Sequence, residues 1–203
     1  VVDPMQTPTP GSVADGWRRI EGWLEVNNPP LRAALKPPAS DAELAAIEAV
    51  IGAELPGDFK ESWRVHGGTG DTAGSLIPAR DAPGDRYGNA TTPGGYYLMP
   101  CAEILLEWRS WKLLADGGEF AGQESTGDHG IRRAWWHPGW VPFASNGGGD
   151  SICLDLAPAA AGTVGQVITM NHETAERELL APSYARWLAE VADLVEHGRS
   201  ASG

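Results

Sequence analysis

Residues 135–156 read WWHPGWVPFASNGGGDSICLDL. Trp140-Val141-Pro142-Phe143-Ala144 reads as a strand, and Ser145 to Asp150, with three consecutive glycines, as a tight turn. Ile152, Leu154 and Leu156 then alternate with Cys153 and Asp155. A period of two is the mark of a strand with one buried face. Strand, glycine turn, strand is an antiparallel hairpin, and the rest of the chain is read outward from it.

Toward the C-terminus a second glycine-rich turn ends at Gly165, and Gln166–Met170 supplies another strand. Tyr184, Trp187, Leu188, Val191, Leu194 and Val195 follow at helical spacing, an amphipathic helix that packs on the sheet. Toward the N-terminus, Tyr96–Met99 and Ser75–Pro78 are short strand candidates. Pro100 leads into a helix carrying Ile104, Leu105, Trp108 and Trp111 on adjoining faces. The first helix runs from Asp15 to about Val26, with Trp17, Ile20 and Leu24 as its stripe, and Asn27-Asn28-Pro29-Pro30 ends it. A linker leads to Ser40, which with Glu43 makes a capping box ahead of Leu44, Ile47 and Ile51. Leu55-Pro56 opens a further helix with Phe59 and Trp63 on one side. Residues 81–95 and 115–134 read as loops, the second a mobile one. Residues 1–11 and 199–203 read as tails around one domain over 12–198. The order predicts an α+β fold, a central mainly antiparallel sheet packed by several helices.

The chain has 203 residues, 42% of them hydrophobic, with 27 acidic against 15 basic side chains and a net charge of −12. Such a surface repels phosphate backbones and disfavours nucleic acid as a partner. It attracts and steers a basic protein. No run approaches the ~20 apolar residues of a membrane span and nothing reads as a secretory signal; no membrane partner is expected, and the cysteine usage makes the cytoplasm the default setting. Two cysteines, Cys101 and Cys153, make no disulfide scaffold and read as core residues.

No G-x-S-x-G elbow is present, and neither cysteine has a histidine nearby in sequence. The histidines lack the close spacing of a zinc motif. The glycine-rich turn leads into a strand rather than a helix N-terminus, so it is no phosphate cradle. Asp150 and Asp155 are five apart on one strand, which puts their side chains on opposite faces. Neither a cofactor nor a metal is expected. Trp135-Trp136-His137-Pro138-Gly139-Trp140 is the sharpest local feature, since tryptophan is favoured at interface hot spots as well as in cores. Trp135, Trp136, His137, Asp150 and Asp155 are therefore the candidate partner-binding residues, on loops and strand ends expected to converge. A metal-dependent hydrolase using His137, Asp150 and His172 is a third and distant reading.

Several segments together resemble the Smi/Knr branch of the SUKH superfamily. They are Trp17-Arg18-Arg19-Ile20-Glu21, Pro37-Pro38-Ala39-Ser40, Glu48 with Ile51-Gly52, Leu55-Pro56, His66-Gly67-Gly68 and Leu98-Met99 before Ile104 and Trp108. Trp136 to Ala144, Gly148-Gly149-Asp150, Leu154-Asp155, Gly165-Gln166-Val167-Ile168 and Trp187-Leu188 complete the set. The resemblance implies a sheet wrapped by helices and action by protein binding rather than catalysis. It implies, first, an immunity protein neutralising a cognate toxin, with a basic, nuclease-like toxin domain as partner. The alternative is an intracellular regulatory scaffold similar to the fungal cell-wall-synthesis regulator. Oligomeric state is left open.

Overall fold

A computed structural model describes residue 9 and residues 11–70, 74–77 and 95–197. The expected loop over 81–94, Pro78 and most of both tails lie outside the described residues.

Four helices come first: α1 (Val13–Asn27), α2 (Pro29–Ala34), α3 (Asp41–Ile51) and α4 (Gly57–Trp63). Ser12 caps α1 by accepting the Asp15 N–H, and the predicted Ser40/Glu43 capping box opens α3. The expected linker after α1 is in part a helix. Asn28 accepts the Leu31 N–H, and Pro29 and Pro30 occupy the first turn of α2. Their missing N–H groups cost nothing there, because first-turn donors have no partner inside a helix. The prolines that stop α1 thus start α2.

The strands and remaining helices follow in the order β1 (Tyr97–Leu98), α5 (Cys101–Asp116), β2 (Thr126–Gly127), β3 (Trp140–Ser145), β4 (Ser151–Asp155), β5 (Gln166–Met170), β6 (Glu176–Arg177), β7 (Leu179–Ala181) and α6 (Tyr184–His197). Five strands form one antiparallel sheet in the order β1-β3-β4-β5-β7. Val141 pairs with Leu154 and Cys153 with Ile168; the β3–β4 register shifts between Pro142 and Ala144. A bulge there accommodates a proline that cannot donate to the ladder. β2, within the stretch expected to be loop, forms a separate parallel pair with β6. Gly127 makes that pair possible: a Cβ at this position would stand 1.9 Å from the Arg177 carbonyl oxygen.

The alternation along β4 is as read, but its second face is not open. All five residues of β4 are buried. Ile152 and Leu154 enter a large core with α1, α4 and α6; Cys153 enters a second core with Trp108, Trp136, Trp140, Ile168 and Met170. The first core holds Phe59, Trp63, Phe143, Tyr184 and Trp187 in mutual ring contact. It also holds a buried polar chain in which the Trp17 indole donates to Ser62 Oγ at 2.8 Å and Ser62 bonds the Tyr184 hydroxyl at 2.9 Å. Gly16 lets α1 lie close on α6, where a Cβ would meet Leu188 Cγ at 3.0 Å. The second core is covered by α5 and the segment that follows it.

Candidate partner-binding groove

α5 has more apolar residues than one buried stripe can use. Cys101, Ile104 and Trp108 face inward. Leu106, Leu113 and Leu114 remain 67%, 74% and 44% exposed. They are three of the five large hydrophobic side chains exposed among the described residues, the others being Val26 and Val164. Leu106 and Leu113 are seven apart, two turns of helix, so they stand on one side of α5. Scattered exposed apolar residues are ordinary; a concentration on one helix marks a contact surface.

Of these leucines, Leu114 also lines a groove. After α5 the chain turns back through Gly117–Gly122, bringing Phe120 to 5.7 Å from Trp111 and 6.3 Å from Trp135 between ring centroids. The three half-buried rings form a row. They line a groove of about 480 Å³ together with Leu114, Glu107, Glu119, Gly149 of the β3–β4 turn and His172 just after β5. Glu107 accepts the Trp111 indole N–H at 2.7 Å, which fixes that ring.

Trp135 is held from behind. The buried Arg177 guanidinium lies 5.6 Å from the Trp135 ring centroid and 5.9 Å from that of Trp140. Its Nη1 donates to the carbonyls of Thr174 and Glu176 at 2.8 and 2.7 Å, and Nη2 donates to the Trp135 carbonyl at 2.6 Å. Burial away from water pushes the Arg177 pKa down to about 10, so it remains a cation at neutral pH.

The five residues singled out from sequence separate into two kinds. Trp135 lines the groove, and His137 is half-buried in the turn before β3, its Nδ1 accepting the Gly139 N–H at 3.0 Å. Burial, with the Arg132 charge adding to it, lowers the His137 pKa. Trp136, Asp150 and Asp155 are buried, which takes them off the surface. Trp136 packs edge-on against Trp108 at 6.0 Å. Asp150 Oδ1 accepts the backbone N–H of His172 at 3.1 Å and meets its Nδ1 at 2.8 Å, while Oδ2 accepts from the Asn146 side chain at 3.0 Å. It pins the β3–β4 turn to the end of β5 and sets His172 at the groove. As a candidate partner-binding residue, Asp155 would have to reach the surface. Instead it lies inside, accepting the Ala157 N–H at 3.0 Å and the Gln166 amide at 2.9 Å. Desolvation raises its pKa against those two bonds. These three residues lie beneath the surface: Trp136 against Trp108, Asp150 between the β3–β4 turn and His172, and Asp155 against Gln166.

Trp111, Phe120 and the α5 leucines were not singled out from sequence. Their signal is the excess of apolar residues over one helical stripe, in Leu105-Leu106 and Leu113-Leu114.

The hydrolase reading finds Asp150 and His172 together. However, among the described residues no group of three His, Cys, Asp or Glu is placed to hold a metal ion. Both cysteines are buried and free, with the Cys101 thiol pushed up to about 11 and that of Cys153 higher still by burial. Neither is a thiolate at neutral pH. No described helix is long and apolar enough to cross a membrane.

The model of the SMI1 / KNR4 family (SUKH-1) matches residues 38–190, from the segment before α3 into α6. The chain is 30% identical to the cell wall biosynthesis/cell cycle regulator smi1 of Schizosaccharomyces pombe, over 94% of this chain and 37% of that protein. It is 28% identical to a KNR4/SMI1 homolog of Yarrowia lipolytica, over 95% of this chain and 32% of that protein. It is 22% identical to the cell wall assembly regulator SMI1 of Saccharomyces cerevisiae, over 90% of this chain and 40% of that protein. The chain thus spans about a third to two-fifths of the length of these relatives. With three-quarters of its residues inside the family's match, and the five-stranded sheet, the second core and α5 all within it, the chain belongs to the SMI1 / KNR4 family (SUKH-1).

Proposed function

We propose that this chain is a non-catalytic, cytoplasmic protein-binding module with a regulatory role of the kind its fungal relatives are named for, and that it docks its partner on α5 and the adjoining groove. The occupant is an amphipathic segment with apolar anchors and basic residues. The observation that carries this reading is the set of exposed leucines on α5, Leu106, Leu113 and Leu114, the last of which also lines the groove of the Trp111–Phe120–Trp135 row. Apolar anchors would fill that surface, and Glu107, Glu119 and the −12 net charge would attract the basic residues.

The toxin-neutralising role that the resemblance put first gives way here. Two of the relatives described above are named as cell-wall regulators, and net charge alone does not distinguish a toxin from a cellular partner.

The test is rescue of a deletion strain in the protein's own host, scored as growth under cell-wall stress. The double variant Leu106→Asp/Leu113→Asp changes only exposed positions and is expected to fold normally yet fail to rescue. Val26→Asp, exposed on α1, is expected to rescue. Full rescue by the α5 variant would overturn the docking surface. A deletion with no cell-wall phenotype would overturn the regulatory reading.

A further inference from the structure

The chain carries an excess of carboxylates, and among the described residues most Lys and Arg side chains are paired with them. Among the described residues, Arg18, Arg19, Arg32, Lys60, Arg64, Lys112 and Arg186 each bond an acidic side chain. Five described cations have no such partner: Lys36, Arg109, Arg132, Arg133 and Arg177. Three of these five line one cleft of about 280 Å³, beside Thr126, Gly127 and His129. With 27 acidic side chains available against 15 basic ones, chance pairing would have quenched such a cluster.

The cleft is built rather than incidental. β2 and β6 form its frame, and Gly127 allows their close approach. Arg132 Nε donates to the Ala157 carbonyl at 3.1 Å, which steadies the side chain while its two terminal nitrogens have no partner among the described residues. Arg177 is fully buried and its Nε has no acceptor. Asp128 is the one acidic residue in the lining, and its Oδ2 is occupied by the Leu179 N–H at 2.7 Å. A buried guanidinium backed by two exposed ones is a strongly anion-selective arrangement. Planar forks of N–H groups suit phosphate oxygens, and a phosphate monoester brings close to two charges at neutral pH.

We infer that this cleft binds a phosphate monoester carried on a protein segment, a phosphoserine or phosphothreonine, between Arg132 and Arg133 over the Arg177 base. Only the source of the phosphate rests on the protein-binding reading; the cleft is separate from the groove on α5. Nucleic acid is the disfavoured carrier, because a chain at −12 repels an extended polyanion.

The test uses the intact chain and fluorescence anisotropy with a degenerate peptide pool fixed at a central phosphoserine, the same pool with serine, and inorganic phosphate as competitor. The phosphoserine pool is expected to bind about tenfold or more tighter than the serine pool, as loss of two charge-assisted contacts implies. Arg132→Glu/Arg133→Glu, both at exposed positions, is expected to erase that margin. Leu106→Asp/Leu113→Asp is expected to keep it, so failure of the groove and failure of the cleft read out separately. Equal binding of the two pools, or a margin that survives the arginine reversal, would overturn the site. Displacement by inorganic phosphate at the pool's own affinity would overturn a protein-borne source.

Discussion

The two faces of the sheet are covered to different depths. On one face α1, α4 and α6 bury Trp17, Trp63, Tyr184 and Trp187 completely. On the other, α5 and the segment over 117–138 bury Trp108, Trp136 and Trp140 but leave Trp111, Phe120 and Trp135 half in water. Both layers are rich in aromatic residues, so composition does not distinguish them. The difference lies in how many helices share the work. All six helices contribute buried side chains to the first core, whereas α5, the end of α3 and a returning turn leave the second incompletely closed. An incompletely covered aromatic layer on an otherwise stable sheet is a natural place for a second protein to complete the packing.

Substitutions on the two faces should therefore fall into a graded series. Trp187→Ala, in the first core, should cost about 3–5 kcal/mol, the range for removing a large buried ring, and urea denaturation measures it. If it costs no more than a groove residue, the distinction between the faces fails. Trp136→Ala should behave like a core substitution and cost about 3 kcal/mol, because its ring is buried against Trp108 although its neighbour Trp135 lines the groove. Leu106→Asp/Leu113→Asp should change stability by no more than about 0.5 kcal/mol per site, as surface substitutions do.

A fourth expectation concerns protons. Desolvation holds the Asp155 pKa above 3.8, so the folded chain keeps a proton on it where the unfolded chain has lost one. Its contribution is fully present below the unfolded value and fades as pH rises through the folded one. Glu48 behaves oppositely. The Leu55 N–H first, and then Lys60, hold its pKa below 4.5, so its contribution is present above the unfolded value and lost as pH falls through the folded one. Carboxyl-carbon NMR titration should place the two midpoints on opposite sides of their ordinary values. Asp155 titrating below 3.8 would mean that the second face is wetter than described.

How much of this was legible in the sequence follows from where each signal lies. The α1 stripe, the Ser40 cap, the β3–β4 hairpin and α6 all depend on residues close together in the chain, and they stand where periodicity puts them. The α2 helix was hidden because Pro29-Pro30 is both a stop for one helix and a start for the next. The burial of Asp155 was hidden because alternation tells which residues share a face but not whether that face is covered. The β2–β6 pair joins Thr126 to Glu176 through two residues a side, too short for any periodic signal. Trp135 stood out within a run of tryptophans. Its groove partners did not, since Phe120 reaches Trp111 only through the turn after α5.

The central claim is that the thinly covered face receives a basic amphipathic segment on α5. Its most direct test is an amide chemical-shift titration of the isotopically labelled chain with a helical Lys/Leu peptide and with its Glu/Leu counterpart. The account predicts shifts at Leu106, Leu113, Leu114, Phe120 and Trp135 with the Lys/Leu peptide alone, abolished by Leu106→Asp/Leu113→Asp. Shifts centred on α1 and α6, or the same response to both peptides, would contradict it.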